Sequence, residues 1–254
     1  YAGINIDLVL FLWLVVNLVV IFVAMLKFNV FYIAFKLWKI DVQWLKVAMK
    51  FSLPLVLSAL CSKAVFTFDR TVASWLLDID TAATYILILS IFFALNSVVD
   101  AVFFVFRVPL LISSFNTDFD LQFQKFHRSA IMLITLGTLS FVPGFYLSEL
   151  VFSEKIDSSS QIAFYMVSIV FFLFNVSQIY HFALYTHGGS KAILSTQFYA
   201  LMISLLVLIV GISMEFASSI EFIVLCVGVY CLCATFLKRA AYVSLLRVKT
   251  NATK

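Results

Sequence analysis

Residues 83–110 read ATYILILSIFFALNSVVDAVFFVFRVPL, a run of 28 residues in which Asp100 and Arg107 are the charged side chains. A helix needs about 20 predominantly apolar residues to cross the hydrocarbon core of a bilayer. The run is therefore long enough and apolar enough to form a transmembrane helix. It predicts a membrane protein and argues against a water-soluble domain.

The composition extends this prediction to the whole chain. Of the 254 residues, 64% are hydrophobic and 12% are charged, about half the charged share of a soluble domain. The mean hydropathy is +1.10. We therefore predict an all-α polytopic membrane helix bundle of about seven transmembrane helices. The candidate spans are about 4–26, 51–77, 83–110, 129–151, 161–185, 193–214 and 219–237.

The basic residues predict how the chain lies in the membrane, because cytoplasmic loops are enriched in Lys and Arg. Thirteen of the 17 basic residues fall on one predicted side. That side comprises the loops at 27–50, 113–128 and 186–192 and the tail 238–254. We therefore expect the N-terminus outside and the C-terminus in the cytoplasm.

The 27–50 loop alternates Phe, Trp and Ile with Lys. This pattern suits a helix at the cytoplasmic interface with its Lys side chains toward anionic lipid, or ordinary cytoplasmic sequence without a defined helix. The net charge of +4 lies mainly in such loops, so we expect no nucleic-acid partner. No phosphate loop, Ser/His/Asp set or metal-ligand spacing stands out, so we expect no catalytic site, cofactor or metal.

Charges inside the spans are the candidate functional residues, because ionisable groups are costly in lipid and usually face a bundle interior or a wet cavity. Residues 63–75 read KAVFTFDRTVASW. Lys63 and Arg70 are seven residues apart, which places them on one helix face, with Asp69 about 100° away. Asp69 and Arg70 could instead form a structural pair near the outer interface.

The next span repeats the pattern with Asn96, Asp100 and Arg107, at spacings of four and seven. At a constant helical period these three side chains lie near one face, so the two spans could line one polar cavity. Arg107 could instead extend its side chain to the cytoplasmic interface.

A third polar pattern lies in the fifth span. Asn175, Gln178, His181 and Tyr185 form an approximate stripe. His181 could carry a proton or hydrogen-bond a sugar. The stripe could equally serve helix packing.

The order of these features resembles a known family. Lys50-Phe51-Ser52-Leu53-Pro54-Leu55 opens the second span, Asp69-Arg70 and Tyr85 flank a short outer loop, and Pro109 lies at the inner end of the next span. This is similar to the second half of O-antigen and polysaccharide repeat-unit flippases of the multidrug/oligosaccharidyl-lipid/polysaccharide exporter superfamily. The likeness covers roughly residues 40–240, with its specific motifs in 50–110.

The resemblance implies two six-helix lobes, of which this chain would hold helices six to twelve. Residues 1–26 would be the last helix of a first lobe that is otherwise missing, and 27–50 a basic cytoplasmic linker. Residues 51–237 would form the six-helix second lobe, and 238–254 a basic tail.

The implied function is to flip an undecaprenyl-pyrophosphate-linked oligosaccharide across the bacterial inner membrane, without enzymatic chemistry. Cationic and polar side chains would hold the substrate, and a carboxylate would couple transport to an ion. The expected substrate residues are Lys63, Arg70, Asn96, Arg107, Asn175, Gln178 and His181, and the expected ion-coupling residues are Asp69 and Asp100. Expected partners are membrane lipids, a polysaccharide polymerase and glycosyltransferases.

Three alternatives stay open. A multidrug exporter of the same superfamily would share the fold but should have an acidic, aromatic cavity. A membrane glycosyltransferase or polymerase would normally expose a large outer catalytic loop, which this chain lacks. A seven-helix receptor would share the predicted topology, but no Asn-Pro-x-x-Tyr lies near the end of the last span.

Overall fold

The computed structural model describes residues 15, 16, 18–20, 22, 23, 26, 42–115, 117–151, 158–214 and 219–252. By their contacts, residues 1–50 and 51–254 form two separate compact units. The predicted first span and residues 27–41 of the basic loop fall largely outside the described residues.

The described part of the chain folds into helices. They are α1 (Val42–Leu76), α2 (Ile79–Val99), a π-helical segment (Asp100–Phe104), α3 (Val105–Ser113), α4 (Phe119–Leu139), α5 (Phe141–Val151), α6 (Ser158–Thr186), α7 (Ser190–Ser213) and α8 (Ile220–Ala252). The segment from Ile79 to Ser113 is continuous and includes α2, the π segment and α3.

Six stretches of the described residues are long and apolar enough to cross a membrane. They are Val42–Leu76, Ile79–Ser113, Phe119–Tyr146, Gln161–Thr186, Ser190–Ser213 and Ile220–Arg247. A helix satisfies its backbone hydrogen bonds internally, which is what a chain in lipid requires. The prediction of an all-α polytopic membrane helix bundle is confirmed.

The helices extend beyond the apolar runs that predicted them. Residues 42–50, expected in the basic loop, belong to α1, and 119–128, expected in the second basic loop, begin α4. The start of α4 is amphipathic: Phe119 and Phe126 are buried while Lys125 and Arg128 are exposed. The length of the apolar run underestimates the length of such a helix, because the polar face of the helix lowers the local hydropathy.

The core is centred on α6, which packs against α2, α4, α7 and α8. Aromatic rings fill the space where α1, α2 and α6 meet. The Phe66 ring lies 5.6 Å from that of Phe92 and 5.3 Å from that of Phe174, measured between centroids. The first pair is stacked and the second is edge-to-face, and such pairs add about 0.5–1.5 kcal/mol each beyond their area burial.

Two short connections have defined caps. Asp78 is the N-cap of α2, accepting from the Thr81 N–H at 2.9 Å. After α6, the Gly189 N–H donates to the Leu184 carbonyl and the Gly188 N–H to the Tyr185 carbonyl, each at 2.9 Å. This pair of bonds is a Schellman motif, and Gly188 adopts the positive φ of 72° that the motif requires.

Candidate functional site

The hairpin of α1 and α2 buries one of the predicted carboxylates. Asp69 is 6% exposed, and Tyr85 opposite it on α2 is fully buried. The Tyr85 hydroxyl donates to Asp69 Oδ2 at 2.8 Å, and the Arg70 backbone N–H donates to Oδ1 at 2.6 Å. Both carboxylate oxygens therefore have donors, and Asp69 links α1 to α2.

The Arg70 side chain is exposed, although its backbone N–H bonds to Asp69 and its charge interacts electrostatically with the Asp69 carboxylate. Its guanidinium carbon lies 4.9 Å from the centroid of the Phe93 ring, in a cation–π contact. The guanidinium therefore remains available to an anion at the surface of the hairpin.

A second polar group includes residues of α1, α2 and the π segment. Asn96 Nδ2 donates to Asp100 Oδ2 at 3.1 Å, and the exposed Lys63 on α1 interacts electrostatically with Asp100. Asn96 Oδ1 is buried without a hydrogen-bond partner among the described residues. The structure thus brings together three predicted residues, which we call the Lys63–Asn96–Asp100 group.

The π segment begins at Asp100 of this group. The Val105 N–H donates to the Asp100 carbonyl, five residues back, so the turn holds one more residue than an α-turn. An extra residue shifts the side chains that follow by about 100° relative to a regular helix. Such segments are frequent at functional sites.

This shift explains the position of Arg107. A constant period predicts Arg107 near the face of Asn96 and Asp100, but the extra residue turns it away. In the structure Arg107 is exposed and does not line the groove beside Asp100. Sequence periodicity misses this difference, because the residues 100–104 carry no Pro or Gly to mark the irregular turn.

A groove of about 470 Å³ lies beside Asp100, between the long α2–α3 segment and α6. Asp100 and Gln178 supply its polar groups, and the rings of Phe104, Phe174 and Phe182 line it. The groove therefore combines one carboxylate, one amide and an aromatic wall.

The other polar side chains of α6 lie inside the bundle. Asn175 is fully buried; its Nδ2 donates to the Phe171 carbonyl at 3.0 Å, and its Oδ1 has no partner among the described residues. His181 Nδ1 is also buried and unpartnered within the described residues. The predicted stripe on α6 thus divides: Gln178 faces the groove, while Asn175 and His181 do not line it.

Lys238 is the buried charged residue that the sequence analysis missed. We assigned it to the basic tail because it follows the last apolar run, but α8 continues past it and its side chain is fully buried. Its Nζ donates to Ser177 Oγ on α6 at 2.9 Å, and it interacts electrostatically with His181. Continued helical spacing of buried residues from Cys231 through Ala234 to Tyr242 is the signal that could have found it.

A hydrogen-bond chain also connects three helices through the core. Tyr230 on α8 donates to Gln197 Oε1 on α7 and lies 2.9 Å from Ser62 Oγ on α1, measured from its hydroxyl. Buried polar chains of this kind fix how helices pack in lipid. These hydrogen bonds hold α1, α7 and α8 together.

Comparison of the chain with protein-family models, curated proteins and solved structures gives no significant match.

Proposed function

We propose that this chain is the second lobe of a flippase that moves an undecaprenyl-pyrophosphate-linked oligosaccharide, such as an O-antigen or capsule repeat unit, across the bacterial inner membrane. The likeness of residues 50–110 to such flippases supports the assignment. The observation that carries it is an exposed lysine, Lys63, that interacts electrostatically with Asp100, both on helices suited to lipid. Transport would proceed by alternating access of two lobes.

Lys63 is proposed to bind the pyrophosphate. An anion in a low-dielectric cavity needs cationic hydrogen-bond donors, and an exposed ammonium can approach a phosphate oxygen. A bound pyrophosphate would compete with Asp100 for the same ammonium. When Lys63 binds the pyrophosphate, the Asp100 carboxylate loses its cationic neighbour, which favours uptake of a proton or another cation at Asp100. This exchange would couple substrate transport to ion transport.

The other predicted site residues have different roles in this proposal. Arg70 is exposed at the α1–α2 end and would be a second phosphate contact, while Asp69 is held by Tyr85 and would chiefly fix the hairpin. Gln178 would bind sugar in the groove. Asn175 and His181 would reach substrate only after helices rearrange, because their unpartnered atoms are buried.

Flipping a lipid-linked sugar makes and breaks no covalent bond, so the proposed activity is not enzymatic. Glycosyltransferases would supply the substrate on the cytoplasmic side. A polysaccharide polymerase would consume it on the other side.

The test is substitution of Lys63 in the full-length protein, in cells that depend on it for surface polysaccharide. Lys63→Ala should strongly reduce surface polysaccharide at an unchanged amount of protein in the membrane, and Lys63→Arg should retain part of it. Lys125→Ala is the matched control, because Lys125 is an exposed cation on α4 that does not belong to the group. Normal polysaccharide in Lys63→Ala cells would remove Lys63 from the substrate path.

One observation favours a second candidate, a multidrug-type exporter of the same superfamily. The groove beside Asp100 is acidic and aromatic, which suits amphipathic cations. In that case Asp100→Asn would abolish efflux of a lipophilic cation and Lys63→Ala would not. The flippase proposal expects no efflux by the wild-type protein.

A further inference from the structure

A second groove, separate from the Lys63–Asn96–Asp100 group, lies between α1 and α7. Its volume is about 630 Å³, and it includes Leu57 and Ala64 on α1 and Phe198 and Leu201 on α7. Leu57 and Phe198 are 41% and 49% exposed, so the groove opens at the surface of the 51–254 unit. We call it the α1–α7 groove.

The length of the α1–α7 groove matches one leaflet. Its lining on α7 runs from Lys191 to Leu201, which is about 15 Å at 1.5 Å per residue. The hydrocarbon core of a bilayer is about 30 Å thick, so a single leaflet contributes about 15 Å. An acyl chain that enters at one membrane interface would therefore fill the groove and end near the bilayer centre.

Among the described residues that line the groove, the charge lies at the end at which α7 begins. Lys191 is the second residue of α7, is exposed, and is the charged residue among the described residues that line the groove. A lysine at the interface attracts an anionic headgroup with about 1 kcal/mol. Lys191 lies at one end of an apolar groove that is as long as one leaflet is thick. This arrangement is complementary to a lipid with one net negative charge.

We propose that the α1–α7 groove is a specific site for one anionic phospholipid, with the phosphate on Lys191 and an acyl chain along Leu57, Ala64 and Phe198. The single cation fits one phosphodiester better than a pyrophosphate, and the groove is much shorter than an undecaprenyl chain. The site is distinct from the proposed substrate site and does not depend on the proposed transport activity.

Equilibrium binding to the purified full chain tests the site, with native mass spectrometry to count bound lipid. The probes are phosphatidylglycerol and phosphatidylcholine with the same acyl chains. We expect one phosphatidylglycerol to bind saturably and more tightly than phosphatidylcholine. Lys191→Gln should weaken phosphatidylglycerol binding about fivefold, the factor that corresponds to about 1 kcal/mol. Lys125→Gln, which removes an exposed cation outside the groove, should leave it unchanged.

A second pair of variants tests the acyl slot independently of charge. Ala64→Leu narrows the groove and should weaken both lipids equally, whereas Ala94→Leu adds the same bulk at an exposed position of α2 outside it. If Ala64→Leu does not fold, the comparison of Lys191→Gln with Lys125→Gln decides whether the site exists.

Three results would overturn the proposal. They are equal effects of Lys191→Gln and Lys125→Gln, absence of a saturable phosphatidylglycerol site on the wild-type chain, and displacement of phosphatidylglycerol by an equal or lower concentration of undecaprenyl phosphate. The last result would assign the groove to the polyprenyl tail of a substrate.

Discussion

Gly211 allows α7 and α8 to approach closely near the end of their hairpin. A Cβ built at Gly211 would overlap the ring of Phe222, whereas a Cβ at Gly228 would lie 3.5 Å from Val170 Cγ2, an ordinary contact. The two glycines therefore look alike in the sequence but differ in the space around them.

We expect Gly211→Ala to destabilise the protein by about 1–3 kcal/mol, since overpacking forces neighbouring side chains out of place. Gly228→Ala is the matched control and should be neutral or slightly stabilising, because Ala favours a helix over Gly. Thermal unfolding in detergent measures both. Phe222→Leu should restore stability to Gly211→Ala, and failure of this rescue would assign the loss to something other than the ring overlap.

Asp78 makes the stability of the fold depend on pH. Its carboxylate accepts hydrogen bonds from the Thr81 backbone N–H and the Thr81 hydroxyl, and these bonds lower its pKa below the ordinary value of 3.8. A group whose pKa is lowered by folding stabilises the protein above its unfolded pKa and loses that contribution as the pH falls through its folded pKa.

The wild-type protein should therefore lose part of its stability as the pH falls below about 4, in the range where Asp carboxylates protonate. Asp78→Asn keeps an N-cap acceptor but does not titrate, so this part of the pH dependence should disappear. Asp78→Ala should lower the melting temperature at pH 7. Melting curves between pH 3 and pH 7 provide the measurement, and identical pH profiles for wild type and Asp78→Asn would contradict the assignment.

At the scale of elements, the bond between Tyr85 and Asp69 joins α1 to α2. Removing the Tyr85 hydroxyl leaves one oxygen of a buried carboxylate without its donor, which typically costs about 1–3 kcal/mol. Tyr85→Phe should therefore lower the melting temperature in detergent clearly. Tyr146→Phe, at a tyrosine that is 58% exposed, should not change it. Equal effects of the two substitutions would show that the bond does not stabilise the hairpin.

The elements also show where sequence reasoning succeeds and fails. Apolar length located the helices, because lipid allows few alternatives to a helix. Lys63 and Arg70 on one span, with Asn96, Asp100 and Arg107 on the next, led us to expect that the two spans line one polar cavity, and the structure groups Lys63, Asn96 and Asp100. Arg107 departed from that face because a π turn intervenes, and no periodic pattern encodes an irregular turn made of ordinary apolar residues.

At the scale of the whole molecule, the distribution of basic residues predicts the orientation. Asp80, at the start of α2, should lie outside, and Asp118, before α4, should lie in the cytoplasm. The long α2–α3 segment between them is long and apolar enough to cross the membrane. Both side chains are exposed, which makes them suitable reporter positions.

Single cysteines test this orientation in a variant whose four natural cysteines are replaced by alanine. A membrane-impermeant thiol reagent should label Asp80→Cys in intact cells and Asp118→Cys only after the membrane is opened. The reverse pattern would invert the predicted orientation.

Lys238 has a consequence for the order in which the bundle is assembled during synthesis. Its Nζ lies inside the packed helices and donates a hydrogen bond to Ser177 Oγ, and Ser177 is synthesised 61 residues before Lys238. Lysine is among the side chains that insert least favourably into a bilayer, so α8 inserts more favourably when a polar partner is already present in the bundle. Synthesis from the N-terminus supplies that partner, because α6 leaves the ribosomal exit tunnel before α8, so the insertion of α8 depends on α6 being in place.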